Sequence, residues 1–352
     1  MIQCYPDEAL TGFTKPYKLP VGFLSANSKE EFILNITLLG CGRWGSFIGW
    51  YLDKIGHKVT IWGLADAPQL IELKTTRKNN MLSFRESIEI TDDLEAAVSS
   101  AEIMIISISS QALRSFVQRL AKLDIKGKKI VLCMKGIELG TGCRLTQIVE
   151  EYVPEETQVA IWVGPGHPQS FSQGIPNCMV IDSRHEELKP YLISKFSSEL
   201  IRFYVGQDLI GNEIGAAAKN SIGIAAGMLD GLNLSALKGA LMSRGTREIS
   251  RLIKAMGGNE LSAYGLCHLG DYEATLFSKY SHNRMFGETL VKGEKYGLLA
   301  EGVDTTTALC QLGEKYNVDL PICKGVADVI AGKLDAKQAL TDMFERSVKS
   351  EF

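Results

Sequence analysis

The sequence has no long apolar run and no large excess of charge of either sign. Its longest apolar stretch, "IMIISI", is far too short to span a bilayer. The first 30 residues contain scattered charges and prolines but no apolar segment typical of a secretory signal. The 38 basic and 41 acidic residues give a net charge of −3, which favours neither nucleic acid nor an anionic membrane as a partner. We therefore expect a cytoplasmic protein with no membrane insertion and no nucleic-acid partner.

Cysteine and histidine occur without the spacing of a disulfide framework or a metal site. The eight cysteines are spread singly, no C-x-x-C is present, and several lie in apolar runs such as "VLCMKG". This distribution predicts small buried side chains in a reducing compartment. The five histidines form no ligand pair at helical spacing, so we expect no metal.

What the chain does contain is an alternation of short apolar strands with amphipathic helices. Eight strands are predicted, at "ILNITLLG", "KVTIWG", "SIEIT", "EIMIISI", "KKIVLCMKG", "QVAIWVG", "CMVIDS" and "IRFYVG". Such alternation is typical of βαβ units, in which helices cover both faces of a mainly parallel sheet. The predicted fold class is therefore α/β, with an N-terminal Rossmann-like doubly wound sheet followed by an all-helical C-terminal domain.

The helical domain is predicted because the character of the chain changes near residue 208. The segment "DLIGNEIGAAAKNSIGIAAGMLDGL" is rich in small residues, and only helical patterns follow it. We predict an irregular N-terminal extension at 1–31, a dinucleotide-binding domain at 32–207 and a helical substrate-binding domain at 208–352. A chain of 352 residues is long enough for two domains of ordinary size.

The stretch "LGCGRWGSFIGWYL" has the spacing G-x-G-x-x-G at Gly40, Gly42 and Gly45. A predicted strand leads into it and a helix opens at Trp44, which is the context in which this spacing binds a pyrophosphate. An ordinary strand-turn-helix is the alternative. Arg43, at the tip of the loop, faces either a phosphate or solvent, and Trp44 is expected to pack as an apolar lid.

Two lysines lie where chemistry can occur. Lys135 ends the strand in "IVLCMKG", and the carboxyl ends of strands face the ligand crevice in this fold; the alternative is a charge that caps the sheet edge. Lys219 lies among Ala, Gly and Ile in "GAAAKNSIGIAAG". Burial there would lower its pKa toward neutrality, as a general acid or base requires, unless the side chain extends to solvent. Asn220, the next residue, could hold a substrate hydroxyl or phosphate.

A second polar cluster lies in "LCHLGDYEATLFSKYSHNRMFG" and begins at His268. Asp271 and Thr275 are four residues apart and share one face if this segment is helical. The stretch that follows is rich in hydrogen-bond donors suited to a phosphate and consists of Ser281, His282, Asn283 and Arg284. A helix N-cap at Ser281 would explain part of this pattern. A serine hydrolase is not expected, because the sequence contains no G-x-S-x-G elbow.

Taken in order, these segments resemble the NAD(P)-dependent glycerol-3-phosphate dehydrogenases of the soluble bacterial type. The resemblance covers residues 34–345 and depends on "GCGRWG", "GHKVTIWG", "MKGIE", "VGPGHPQSFSQGIPNCMV", "NEIGAAAKNSIGIAAGMLDGL", "HLGDYEATLFS", "SHNRMFGETLVKGE" and "AEGVDTTTAL". It implies reversible hydride transfer between NAD(P)H and dihydroxyacetone phosphate, giving sn-glycerol 3-phosphate for phospholipid synthesis, and a homodimer. The alternatives are a related dehydrogenase of another phosphorylated polyol or hydroxy acid, and a dinucleotide sensor without catalysis.

The resemblance also implies a role for each matching position. Lys219 matches the catalytic residue that exchanges the hydroxyl proton, with Lys135 and Asp271 holding and polarising the substrate. With the residues argued above, the expected substrate-binding set is Lys135, Gly164, Lys219, Asn220, Asp271, Thr275, Ser281, His282 and Asn283. The expected cofactor-binding set is Gly40, Gly42, Arg43, Trp44, Gly45, Lys135, Pro168, His282 and Glu301. Two positions depart from the family pattern: Gly166 replaces a usual serine, and His282 replaces a usual arginine.

The expected cofactor is NAD or NADP, with NADH preferred over NADPH. Leu64 follows the second strand, at a position where NADP-using relatives often carry a basic residue. No Lys or Arg lies between Trp62 and Lys74, and Asp66 adds a negative charge. A 2'-phosphate would therefore lack a cation at the adenosine ribose unless Arg43 reaches it.

Overall fold

The computed structural model describes residues 33–347 and 350–351, so the predicted extension at 1–31 lies outside the described residues. All eight predicted strands are present. They are β1 (Asn35–Leu39), β2 (Lys58–Trp62), β3 (Glu89–Thr91), β4 (Ile103–Ile106), β5 (Lys129–Leu132), β6 (Gln158–Val163), β7 (Asn177–Asp182) and β8 (Ile201–Val205). They form one sheet in the order β3-β2-β1-β4-β5-β6-β7-β8.

Neighbouring strands are parallel with one exception, because β6 and β7 pair antiparallel. The central strands are continuous apolar runs, as expected where helices cover both faces. Every residue of β4, from Ile103 to Ile106, is fully buried. The sheet order reverses between β1 and β4, which places a crevice at the carboxyl ends of these two strands.

Seven helices cover the sheet: α1 (Arg43–Lys54), α2 (Pro68–Thr76), α3 (Leu94–Ser100), α4 (Leu113–Leu120), α5 (Leu145–Glu150), α6 (Pro168–Ser172) and α7 (Leu188–Phe196). The apolar sides of α1, α2, α6 and α7 pack in one cluster with one face of the sheet. Those of α3, α4 and α5 pack in a second cluster with the other face. The sheet is therefore doubly wound, as predicted.

The C-terminal part is helical, as predicted, and contains α8 (Leu209–Gly231), α9 (Lys238–Ala255), α10 (His282–Val291), α11 (Gly302–Lys315), α12 (Pro321–Ile330) and α13 (Ala336–Phe344). Small residues let α8 and α10 pack at backbone contact. A Cβ at Gly227 would lie 1.9 Å from the carbonyl oxygen of Arg284, and one at Gly287 would lie 2.0 Å from that of Ile224. These glycines fix α8, which carries Lys219, against α10.

The sheet ends at Val205 and α8 begins at Leu209, but the described residues from Leu34 onward form one compact unit. The domain boundary near 208 therefore stays a prediction. Within the described residues, no helix is long and apolar enough to cross a membrane. The seven cysteines in this part of the chain are free thiols, and no cluster of side chains there could hold a metal ion.

Candidate active site

The glycine loop between β1 and α1 has the shape of a phosphate cradle. Gly40 has φ of +125°, and a Cβ there would lie 2.2 Å from the carbonyl oxygen of Ser107. A Cβ at Gly45 would lie 2.1 Å from the carbonyl oxygen of Gly40, so helix and strand meet here in close contact. At Gly42, by contrast, a Cβ would meet nothing within 4 Å. The first and third glycines thus serve packing, and the second leaves open space beside the backbone.

The start of α1 is suited to an anion. Its N-cap, Gly42, provides no side chain to satisfy the first backbone N–H groups, and the first turn has no acidic residue. Open N–H groups and the positive end of the helix dipole favour a pyrophosphate at this point. The residues present therefore fit a dinucleotide. Trp44 packs on Phe47 and Phe171, with ring centroids 5.4 and 6.4 Å away, as expected of an apolar lid.

The centre of the cleft is a buried carboxylate held by two lysines. Lys135 Nζ lies 2.6 Å and Lys219 Nζ 2.8 Å from the same oxygen, Oδ2 of Asp271, and Asp271 is fully buried. Lys135 also donates to the carbonyl oxygen of Gly164, at 2.8 Å. Lys219 also donates to the Thr275 hydroxyl, at 2.7 Å. The structure thus brings together β5, α8 and the segment that precedes α10.

The three charged groups leave one positive charge, and burial decides how it titrates. Burial lowers the pKa of Lys219 to about 8; the Asp271 carboxylate opposes this shift and the Lys135 ammonium adds to it. Lys219 therefore titrates close to neutral pH, where an acid–base group must. The second oxygen of Asp271, Oδ1, is buried and has no hydrogen-bond partner among the described residues. An acceptor of this kind suits a substrate hydroxyl.

Asp271 and Thr275 are presented by irregular backbone rather than by one α-helix. Asp271 ends a short 3₁₀ turn, Leu269–Asp271, and Thr275 lies in a π-helical turn, Glu273–Phe277. The Thr275 hydroxyl donates to the carbonyl oxygen of Asp271 at 2.7 Å, which is the i to i+4 relation that the sequence predicted. π-helical turns are frequent at functional sites.

A buried histidine fixes this segment onto α8. His268 Nδ1 lies 2.8 Å from the carbonyl oxygen of Gly215, and the Tyr272 hydroxyl lies 2.7 Å from His268 Nε2. The carbonyl can only accept, so Nδ1 carries the proton and Nε2 accepts from the tyrosine. Burial lowers the pKa of His268 to about 4, so the ring is neutral. The sequence placed His268 in a polar cluster without assigning it a role; its hydrogen bonds position the backbone that carries Asp271.

The segment after β6 lines the cleft next to the lysines. Gly164 and Gly166 have φ of +130° and +141°, and a Cβ at Gly166 would lie 2.4 Å from the ring of Phe171. The absence of a serine at 166 thus has a steric reason. His167 Nε2 contacts the carbonyl oxygen of Ala274 and so connects this segment to the π-helical turn. Pro168 is buried at the first position of α6, and sequence reasoning gave no signal for His167.

The predicted phosphate-binding residues lie at the start of α10. Ser281 is the N-cap and accepts from the Arg284 N–H at 3.3 Å. His282 Nδ1 contacts the Tyr296 hydroxyl, and Asn283 Oδ1 accepts from the Gly302 N–H at 2.9 Å, so its amide NH₂ points away from α11. Tyr296 had no signal in the sequence.

The two remaining candidates flank the cleft. Glu301 accepts from the Ser110 N–H, at 3.2 Å, and burial raises its pKa to about 7. It therefore joins the start of α11 to the carboxyl end of β4, where a nicotinamide cofactor of this fold lies. Asn220 follows Lys219 on α8 and is 7% exposed.

Arg284 differs from its neighbours because carboxylates already hold it. Its guanidinium lies 2.7 Å from Asp230 Oδ2 and 3.1 Å from Glu288 Oε2. It stabilises the contact between α8 and α10. The donor-rich sequence stretch therefore divides into a structural arginine and three residues at the helix start that bond to backbone N–H groups or to the Tyr296 hydroxyl.

Comparisons with known proteins identify the family of the chain. Residues 35–189 match the family model "NAD-dependent glycerol-3-phosphate dehydrogenase N-terminus", and residues 208–341 match the corresponding C-terminus model. The chain is 34% identical over 333 residues to glycerol-3-phosphate dehydrogenase [NAD(P)+] of Pelodictyon phaeoclathratiforme, covering 90% of this chain and 99% of the relative. It is 36% identical over 332 residues to the enzyme of that name from Fusobacterium nucleatum, covering 91% and 99%.

The backbone of the chain also resembles that of solved dehydrogenase structures. The crystal structure of glycerol-3-phosphate dehydrogenase from Coxiella burnetii superposes with a TM-score of 0.83 at 27% identity, over 90% of this chain and all of that one. A D-mandelate dehydrogenase with NADH and anilino(oxo)acetate superposes with a TM-score of 0.60 at 16% identity, over 87% of this chain and 99% of that one, which shows a shared fold alone.

Proposed function

The chain belongs to the NAD-dependent glycerol-3-phosphate dehydrogenase family, and we propose that it reduces dihydroxyacetone phosphate to sn-glycerol 3-phosphate, reversibly, with NAD(P)H. The observation that supports this function best is the pair of lysines on one buried carboxylate oxygen, beside an open glycine loop. NAD(P)H bound at the loop supplies the hydride that reduces C2 of the substrate. The product is of the kind that phospholipid synthesis uses.

In this proposal the protein's own residues orient the carbonyl and move one proton. The Lys135 ammonium polarises the carbonyl oxygen, and the Lys219 ammonium gives that oxygen its proton as the alkoxide forms. The Asp271 carboxylate holds both ammonium groups, while its free oxygen accepts from a substrate hydroxyl. Thr275 fixes the direction of Lys219, and Asn220, Asn283 and the start of α10 bind the phosphate end.

The decisive experiment is to mix the protein with NADH or NADPH and dihydroxyacetone phosphate and follow absorbance at the nicotinamide band. Oxidation of the cofactor that depends on this substrate supports the proposal. Cofactor binding without oxidation would indicate a sensor. Turnover with another phosphorylated polyol or a hydroxy acid, but not with dihydroxyacetone phosphate, would indicate the related dehydrogenase.

We also expect a preference for NADH over NADPH. Leu64 lies just beyond β2 and is 55% exposed, so it offers no charge to a 2'-phosphate. Lys74, the next lysine along the chain after Leu64, is paired with Asp92 at 2.6 Å. A missing charged contact is typically worth a kcal/mol or two, so kcat/KM should favour NADH by roughly 10-fold.

The variant Leu64→Arg should shift the ratio of the two kcat/KM values toward NADPH. Leu64→Gln, which adds a polar group without charge, is the matched control. Arg119 is a second cation near this end of the sheet, because its guanidinium carbon lies 5.8 Å from the ring centroid of Trp62. An NADPH preference in the unmodified protein would mean that Arg43 or Arg119 already holds the 2'-phosphate.

We further propose a cytoplasmic homodimer. The single free cysteines suit a reducing compartment.

An apolar groove of about 530 Å³ between α8, α9, α12 and α13 includes Leu241 and Phe344, and Phe344 is 70% exposed. This groove is the surface we propose for the contact between subunits. Light scattering should give twice the chain mass, and Leu241→Glu should give a monomer; a monomeric unmodified protein would refute the dimer.

A further inference from the structure

The phosphate end of the cleft requires a permanent cation, and His282 does not provide one. The phosphate of dihydroxyacetone phosphate carries up to two negative charges near neutral pH. Burial lowers the pKa of His282 below its usual 6.5, and the nearby Arg43 charge lowers it further. The ring is therefore mostly neutral at pH 7, and it contacts the Tyr296 hydroxyl through Nδ1.

Three cations of the cleft and of α10 are paired with carboxylates. Arg284 is held by Asp230 and Glu288. Lys135 and Lys219 share the Asp271 carboxylate. Carboxylates thus balance Arg284, and in the proposed function the one positive charge left on the lysine pair serves the reacting carbonyl, not the phosphate end.

Arg43 is a further cation beside the start of α10. It is the first residue of α1, and its Nη1 donates across the cleft to the carbonyl oxygen of Tyr280, at 3.4 Å, two residues before α10 begins. Its charge lowers the pKa of His282 and of His167, which shows that it acts on both sides of the cleft. Burial lowers the pKa of Arg43, and the nearby Tyr296 hydroxyl opposes this shift.

The start of α10 presents complementary donors. Ser281 accepts from the backbone N–H groups of Arg284, through its hydroxyl, and of Met285, through its carbonyl. Ser281 does not accept from the first two N–H groups of the helix, those of His282 and Asn283, so these donors can bind a ligand. The first turn of α10 also has no acidic residue that would repel an anion. An arginine beside such a helix start suits a bidentate contact with a phosphate.

We propose that the Arg43 side chain binds the substrate phosphate at the start of α10, so that a residue of the cofactor's glycine loop selects for phosphorylated substrates. The backbone of Arg43 still belongs to the cofactor cradle, and only its side chain is assigned to the substrate. This inference rests on the proposed function, since it presumes a phosphorylated substrate.

The test compares Arg43→Ser, Arg43→Lys and the double variant Arg43→Ser/His282→Arg with the unmodified protein. Arg202→Ser, which removes an arginine that lies over Tyr204 on the edge strand β8, is the matched control. Three quantities are measured: kcat/KM for dihydroxyacetone phosphate, kcat/KM for unphosphorylated dihydroxyacetone, and the Kd of NADH. The Kd of inorganic phosphate, from calorimetry, gives a readout that needs no turnover.

We expect Arg43→Ser to lower kcat/KM for dihydroxyacetone phosphate by about 10- to 100-fold and to weaken phosphate binding, as loss of a charged hydrogen bond predicts. The value for dihydroxyacetone and the Kd of NADH should change less than about 3-fold. Arg43→Lys should keep part of the preference for the phosphorylated substrate. The double variant Arg43→Ser/His282→Arg should restore this preference, and Arg202→Ser should leave it unchanged.

Two results would overturn the inference. In the first, the Kd of NADH rises in Arg43→Ser while the Kd of phosphate and the two kcat/KM values stay unchanged, which would mean that the side chain binds the cofactor pyrophosphate. If no quantity changes, Arg43 is a solvated surface residue. Failure of the unmodified protein to reduce dihydroxyacetone phosphate would instead refute the proposed function, and the phosphate titration would still decide whether Arg43 binds an anion.

Discussion

Lys219→Ala is expected to lower kcat for dihydroxyacetone phosphate reduction by about 10² or more, while the Kd of NADH changes little. The reason is that the Lys219 ammonium lies against the carboxylate oxygen of Asp271 and the Thr275 hydroxyl, where it can give a proton to the substrate oxygen. Lys135 cannot replace it, because it is fixed between Asp271 and Gly164. Steady-state kinetics with saturating cofactor measure the effect.

The pH dependence gives this prediction a direction. With a pKa of about 8, Lys219 is protonated below that pH and neutral above it. Reduction needs the protonated form, so its kcat should be constant below pH 8 and fall as the pH rises through this value. Oxidation of sn-glycerol 3-phosphate needs the neutral form, so its kcat should rise through the same range. Both transitions should be absent from the residual activity of Lys219→Ala.

A matched control separates lost chemistry from lost packing. Lys189 is another buried lysine, with its ammonium at 2.7 Å from Glu186 and 3.0 Å from the carbonyl oxygen of Gly206, neither of which belongs to the expected site. Lys189→Ala should lower stability but keep kcat within a few-fold. Turnover of Lys219→Ala within a few-fold of the unmodified enzyme would exclude Lys219 as the proton donor.

The sequence predicts the fold well because its signals are local. Each strand is a short apolar run, and the small residues of α8 predict a tightly packed helix. The structure confirms this packing, because Gly227 and Gly287 let the backbones of α8 and α10 come into contact. The antiparallel pairing of β6 with β7 is not visible in the sequence, since a continuous apolar run does not specify the direction of its neighbour. The irregular turns around Asp271 and Thr275 also have no periodic signal.

The site is predicted only in part, because its contacts join distant segments. Lys219 stands out as a charge among small apolar residues, but that pattern leaves open whether its side chain is buried or extends to solvent; in the structure it is buried. That Lys135 would share a carboxylate with it depends on a contact 136 residues along the chain, which only the family resemblance indicated. Arg284 is paired with a carboxylate, whereas Arg43 donates to a backbone carbonyl. The residue type alone does not determine which of the two has a carboxylate beside it.

Asp271→Asn should reduce both activity and stability. The carboxylate balances two ammonium groups at 2.6 and 2.8 Å and is itself fully buried. An amide cannot balance either, so at least one buried cation loses its partner, at a cost of about 3 kcal/mol in the free energy of unfolding. Without the carboxylate, burial and the neighbouring lysine would lower the pKa of Lys219 further, because Asp271 is the group that opposes them.

At pH 7 the variant would therefore hold Lys219 mostly neutral, and kcat for reduction should fall by roughly 10² or more. If this explanation is right, kcat for reduction by Asp271→Asn should recover as the pH is lowered, because Lys219 regains its proton. Asp230→Asn is the matched control, since Asp230 Oδ2 also contacts two cations, Lys238 and Arg284, both at 2.7 Å, outside the reacting groups. It should lose stability by a similar amount and keep its pH profile. If Asp271→Asn is slow at every pH by the same factor, the carboxylate acts on the substrate directly, through Oδ1, and not through the charge of Lys219.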